Sequence, residues 1–191
     1  MAHLHDRNHV VRVNRARSLL LAVAFAALVA AAGLLAASAL ATTRSERNLP
    51  GLNRQVLAAV NRFRVAHGLA ALHESRALDR SARQHSLEMG RVGYFDHASA
   101  HGTAFWKRIR HYYRAGGYSY WSVGENLLWA SPSVSAATAM NQWIGSPPHL
   151  KNLLTPQWRQ IGVSAVTVAD APGVYHGQRV TIITTDFGVR R

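Results

Sequence analysis

The sequence predicts an α+β domain with an antiparallel sheet. Helix-period apolar patterns fill the middle of the chain, two β-branched runs close it, and no strand–helix–strand alternation recurs between them. The order of helices first and strands last excludes a parallel βαβ repeat.

The elements follow in order. Leu52, Val56, Val60 and Phe63 recur every three or four residues, which predicts an amphipathic helix ending at Gly68. Ser75 is the expected N-cap of a second helix, with Leu78, Ala82, His85 and Met89 on its apolar face and its end at Gly90 or Gly93. Residues 94–103 read as a loop. Thr103 is the expected cap of a third helix with Phe105, Trp106, Ile109 and Tyr113 inward, stopped by Gly116-Gly117. Residues 119–129 are short and apolar around a polar Gly124-Glu125-Asn126 step. Ser133 or Ser135 caps a fourth helix through Ala136, Ala139, Met140 and Trp143. Pro147 and Pro148 stop it, because proline lacks the N–H and disfavours α geometry in the residue before it. A short helix carrying His149, Leu150, Leu153 and Leu154 follows, closed by Pro156. Gln160–Val168 and Val180–Phe187 read as strands, with the turn at Ala171-Pro172-Gly173.

Ahead of this domain, residues 1–17 hold Arg7, Arg12, Arg15 and Arg17 against Asp6, and residues 18–41 carry no charge. That is an export segment with its basic flank, 1–17, left in the cytoplasm. Ala39-Leu40-Ala41 fits a signal-peptide cleavage site, whereas a 24-residue apolar run is long enough to remain as a signal anchor. Under both readings residues 42–191 lie outside the cytoplasm, with 42–50 a linker and 51–191 the folded domain.

The chain's 191 residues include no cysteine, which excludes disulfides, a thiolate metal site and a cysteine nucleophile. The net charge is +13, and after residue 41 there are 18 Lys and Arg against 8 Asp and Glu. A field of that sign attracts anionic partners, and it also fits a solvated, arginine-rich surface.

Three polar residues stand in apolar or rigid settings: His97 behind Tyr94-Phe95, Glu125 between Gly124 and Asn126, and His149 behind the two prolines. Two imidazoles and a carboxylate can hold zinc or another divalent metal, with His97 and His149 as ligands and Glu125 nearby. The same set can transfer protons, or can be a hydrogen-bonded network without a ligand. Glu125 can equally accept backbone N–H groups and hold its loop, and Asn126 reads as a turn former. His85, on a helix's apolar face, reads as a structural residue. Ser99 and His101 are too weak a pair to indicate a nucleophile, because catalytic triads are defined by geometry.

The ordered segments FDH (Phe95 to His97), GENL (Gly124 to Leu127), WxxSPxHxxNLL (Trp143 to Leu154), IGV (Ile161 to Val163) and DFG (Asp186 to Gly188) resemble the CAP superfamily of cysteine-rich secretory, antigen 5 and pathogenesis-related 1 proteins, in its cysteine-free bacterial SCP-like branch. The resemblance covers about residues 51–191. It implies an α-β-α sandwich, with helices on both sides of a small antiparallel sheet. It also implies a central cleft of two histidines, at His97 and His149, and up to two acids, the first at Glu125. The second acid would follow Trp143, where Ile144, Gly145 and Ser146 stand instead.

The leading functional expectation is an extracytoplasmic binding protein, for a lipid, a small apolar ligand or an anionic envelope polymer, through the cleft or the basic surface. The alternative is a metal-assisted hydrolase of envelope peptide, glycan or ester bonds. The missing fourth acid and the absence of an HExxH pattern count against it. No nucleic acid is expected as a partner, because export and the lack of a recognition motif oppose it.

Overall fold

The computed structural model describes residues 45–191. The export segment over 18–41 lies outside the described residues. No described helix is long and apolar enough to cross a membrane.

Among the described residues, five α-helices and a five-stranded sheet build three layers. The helices are α1 (Pro50–Ala66), α2 (Arg76–Val92), α3 (Phe105–Tyr112), α4 (Ala136–Ile144) and α5 (Pro147–Leu154). The strands are β1 (Glu46–Asn48), β2 (His73–Glu74), β3 (Trp121–Ala130), β4 (Gln160–Ala171) and β5 (Gln178–Arg190). The main path runs β1-β4-β5-β3, antiparallel throughout, and β2 adds a short parallel pair to β4.

Side-chain alternation along each strand feeds two cores. Ile161, Val163 and Ala165 join Ile183 and Phe187 on the face covered by α1, α4 and α5, where Val56, Val60, Trp143 and Leu153 pack. Val166, Val168 and Ile182 face the other way, against Leu87 and Met89 of α2. Leu78 with Ile109 and Tyr113 completes the second side. The α-β-α sandwich implied by the resemblance is the observed architecture.

The expected helix signals mostly hold. Proline at the start of α1 and α5 costs no hydrogen bond, since first-turn N–H groups have no intrahelical partner. Ser135 caps α4, its side chain accepting the Thr138 N–H at 3.1 Å. Gly93, at φ 89°, ends α2 in the left-handed conformation. Gly90 stays inside α2 against Val168.

Four expectations are corrected. Within the expected linker 42–50, the described residues 45–50 are not plain linker, because Glu46–Asn48 pairs with β4 and α1 starts at Pro50. Residues 121–130 are a full strand, in which Glu125 and Asn126 occupy ladder positions, not a turn. α3 is capped at Ala104 and ends at Tyr112, before the two glycines. Trp106 is exposed with Lys107 above its ring, while Arg108 takes the inward position beside Ile109.

Candidate functional site

The site lies along β3, at the open edge of the sheet. Consecutive strand residues point to opposite faces. Glu125 turns toward α2 and α3, and Asn126 toward α5.

On the first face, His97 Nδ1–H donates to Glu125 Oε1 at 2.8 Å. Arg108 of α3 donates to Glu125 Oε2 and, through its other terminal nitrogen, to the His97 carbonyl at 3.0 Å. One guanidinium thus fixes both the carboxylate and the loop that carries the histidine. Glu125 and Arg108 are buried, whereas the His97 side chain is half exposed. Its hydrogen bond to Glu125 raises the His97 pKa, more than desolvation lowers it.

Asp186 lies beneath this group, fully buried on β5 and directly opposite Glu125. Its carboxyl oxygens have no well-formed hydrogen bond among the described residues, and Ser81 and Glu125 are its polar neighbours. Burial and then the Glu125 charge push it well above the usual carboxylate range. His85, also fully buried, donates Nε2–H to the Asp96 carbonyl at 2.9 Å, which ties the His97 loop to α2. Burial lowers its pKa. The structural role read for His85 is the observed one.

On the other face, Asn126 donates to the His149 carbonyl at 3.1 Å and accepts from Asn152 at 2.9 Å. Asn152 also donates to the Glu125 carbonyl at 2.9 Å. This bracket clips α5 onto β3. His149 shares a 2.8 Å hydrogen bond with Ser146 Oγ, and burial, then the His97 charge, lower its pKa.

The fold therefore brings His97 and Glu125 into contact, and sets His149 within the electrostatic reach of His97. No described hydrogen bond or ion pair links His149 to either. Arg108 and Asp186 complete the group, and neither was read from sequence as a site residue. The hint for Asp186 was an acid inside an apolar strand, within the DFG segment. Arg108 gave no signal, since its partners are 11 and 17 residues away.

Glu125 is poorly placed to be a ligand of a divalent ion. Among the described residues no three His, Cys, Asp or Glu side chains gather as a metal-holding cluster. Both Glu125 oxygens are engaged, and a buried cation occupies the position beside them. The hollow at His97, lined also by Phe105, Gly124, Glu125 and Asn152, has a volume of about 280 Å³. A larger groove of about 770 Å³ lies between α1 and α4. Ala58, Ala59, Phe63, Ala137, Met140 and Ile144 make it apolar, and Arg54 and Arg62 stand along its α1 side.

Comparison with known proteins agrees with this architecture. The model of the CAP family, described as the cysteine-rich secretory protein family, matches residues 57–181. The protein YkwD of Bacillus subtilis is 31% identical over 126 residues, covering 65% of this chain and 46% of its own length. The membrane protein YlbC of the same organism is 31% identical over 110 residues, covering 58% and 30%. The chain thus spans less than half the length of these curated relatives. Among solved structures, an extracellular protein containing an SCP domain from Bacillus anthracis matches with TM-score 0.57 and 26% identity, over 74% of this chain and 41% of that one. An outer surface protein of Borrelia burgdorferi matches with TM-score 0.62 and 17% identity, over 77% and 100%, a likeness of fold alone.

Proposed function

The chain belongs to the CAP family of cysteine-rich secretory proteins, and from that premise we propose that it is an extracytoplasmic binding protein for an acid-headed apolar ligand, such as a fatty acid or a lipid. The α1–α4 groove carries this reading. Its volume of about 770 Å³ falls within the range of small-molecule sites, and its lining combines an apolar floor with a few polar groups, as ligand sites do. Arg54 and Arg62 lie two helical turns apart with Ala58 between them. An acyl chain along the floor would bring its carboxylate or phosphate to either guanidinium.

The cleft supports a structural role better than a catalytic one. His97, Glu125 and Arg108 satisfy one another, and each Glu125 oxygen already accepts a hydrogen bond. The hydrolase alternative gains nothing from this geometry. Similarity to an extracellular protein and to a membrane protein supports the extracytoplasmic location. Protease added to intact cells should remove the folded domain, and full protection there would reject the location.

The ligand reading is tested by titrating a fluorescent fatty acid into wild type and Ala58→Trp. Ala58 is exposed in the groove, so the indole fills the floor without disturbing the core. Binding should be lost in Ala58→Trp and weakened about tenfold, or about 1.4 kcal/mol, in Arg54→Gln/Arg62→Gln. Equal affinity in all three proteins, or no binding to wild type, would sink the reading.

A further inference from the structure

The outward face of α2 carries almost nothing but arginine. Its exposed positions are Arg76, Arg80, Arg83, Arg91 and Val92, and every other residue of the helix is buried or half buried. At 1.5 Å per residue the four arginines span about 22 Å along the helix, with the first three roughly one turn apart. The two acids of α2 are engaged: Asp79 accepts the Val163 N–H at 2.9 Å, and Glu88 accepts the Tyr94 hydroxyl at 2.8 Å.

A groove runs beside this face. Hollows of about 530 and 360 Å³ share Gln84, Glu88 and Tyr112 and so form one trough between α2 and α3. Arg80, Arg83 and Arg91 line one end, and Lys107, His111, Ser99 and Thr103 line the other. Arg91 is paired with Glu46, and Arg83 bonds Asn48 through Nε alone. Glu88 is the single acid in the lining. The groove lies on the opposite side of the sheet from the α1–α4 groove.

We propose that the arginine face of α2 and the adjoining α2–α3 trough are a docking surface for a linear polymer with a phosphate backbone, with Arg76 on the face and Arg80, Arg83 and Lys107 in the trough on its phosphates. A row of cations one helical turn apart matches a chain with regularly spaced anions better than it matches one compact ligand. Arginine forks and serine or threonine hydroxyls suit phosphate oxygens. Nucleobases are held by stacking on aromatic faces, and Tyr112 is the only Phe, Trp or Tyr in the lining. The trough therefore reads a charged backbone rather than rings. This site is separate from the α1–α4 groove and stands or falls without it.

The test uses the full chain in an uncharged detergent, with fluorescently labelled inorganic polyphosphate as the probe. Wild type should bind, and log affinity should fall linearly with log salt. Arg76→Gln/Arg80→Gln/Arg83→Gln should lose about tenfold or more at low salt and flatten that slope by about two, at roughly 0.7 per lost phosphate contact. Lys151→Gln/Arg179→Gln/Arg191→Gln removes the same charge elsewhere and should bind like wild type. Equal losses in the two triple variants would reduce the effect to net charge and overturn the site. Tighter binding of polygalacturonate than of polyphosphate, at equal salt, would overturn the phosphate assignment, and tighter binding of a single-stranded oligonucleotide than of polyphosphate would overturn the reading of a charged backbone without bases. Thermal melts of both variants confirm folding, and Lys107→Glu alone should weaken binding from the α3 side.

Discussion

Asp186 stands directly opposite Glu125 across the β3–β5 pair, with both carboxyl groups buried. Neighbouring carboxyls in an apolar layer disfavour a second negative charge, so Asp186 holds its proton well above the usual carboxylate range. An acid whose folded pKa is raised loses stability as pH climbs from its ordinary value, near ~3.9, through the raised one. Asp79, pushed up by burial to about 6, adds the same sign but is spent near that pH. Asp186→Asn should therefore gain stability over wild type as pH rises from 6, by at most about 1.4 kcal/mol per pH unit. Urea midpoints across pH 5–9 measure it, and parallel curves for the two proteins would show that Asp186 titrates normally.

Arg108 is the counter-charge of this layer and also holds the His97 carbonyl. Removing one partner of a buried pair costs about 3–5 kcal/mol, because the other is left without compensation. Arg108→Met should cost about that much in urea denaturation. Arg108→Lys keeps the charge but not the fork, and should recover only part of the loss. A cost below about 1 kcal/mol for Arg108→Met would mean that the ion pair adds little.

The two cleft histidines should titrate on opposite sides of the ordinary imidazole value of ~6.5. His97 is raised by its bond to Glu125, so the stability it adds is complete below that value and is lost as pH rises through its folded pKa. His149 is lowered by burial and then by His97, so its neutral form is favoured and stability falls as pH drops through its folded pKa. Between the two values the cleft carries one imidazolium, on His97. NMR titration should show this order, and His97→Gln should move His149 back toward the ordinary value. Zinc at one equivalent should leave both titrations in place, whereas loss of both resonances would reinstate a metal site at His97 and His149.

The helices were legible because their apolar positions repeat every three or four residues and their ends carry Ser135, Gly93 and the Pro147-Pro148 step. β4 and β5 were legible from β-branched residues. β3 was not, because Gly124, Glu125 and Asn126 interrupt its apolar run, and their polar groups are satisfied by partners far away in sequence. β1 is three polar residues whose pairing depends on β4. At the site, His97 and Glu125 were found from short ordered segments, and the fold joins them. His149 was placed on the right helix, yet its ring meets Ser146 and not the other two. Arg108 and Arg64 show the limit most plainly. Arg64 sits fully buried in α1, donating to the Leu153 and Thr155 carbonyls at 2.7 and 3.0 Å, a role its own neighbours in sequence do not disclose.

At Gly162, in the IGV segment of β4, the backbone of α2 comes close against the sheet. A Cβ there would overlap the backbone of Leu78 and Asp79. Backbone cannot yield as a flexible side chain can, so Gly162→Ala would push α2 outward and loosen the Asp79 bond to the Val163 N–H. Overpacking of this kind costs about 1–3 kcal/mol, and more where backbone must move. Because α2 also carries His85 and Ser81 beneath the cleft, the same shift should disturb the His97 titration. Gly51, in the first turn of α1, has nothing within 4 Å of the equivalent position. Gly51→Ala should stabilise by about 0.4–1 kcal/mol, through lower entropy of the unfolded chain. Thermal melts of the two variants should move in opposite directions, and a tolerated Gly162→Ala would mean that α2 does not rest on β4 as closely as its packing there requires.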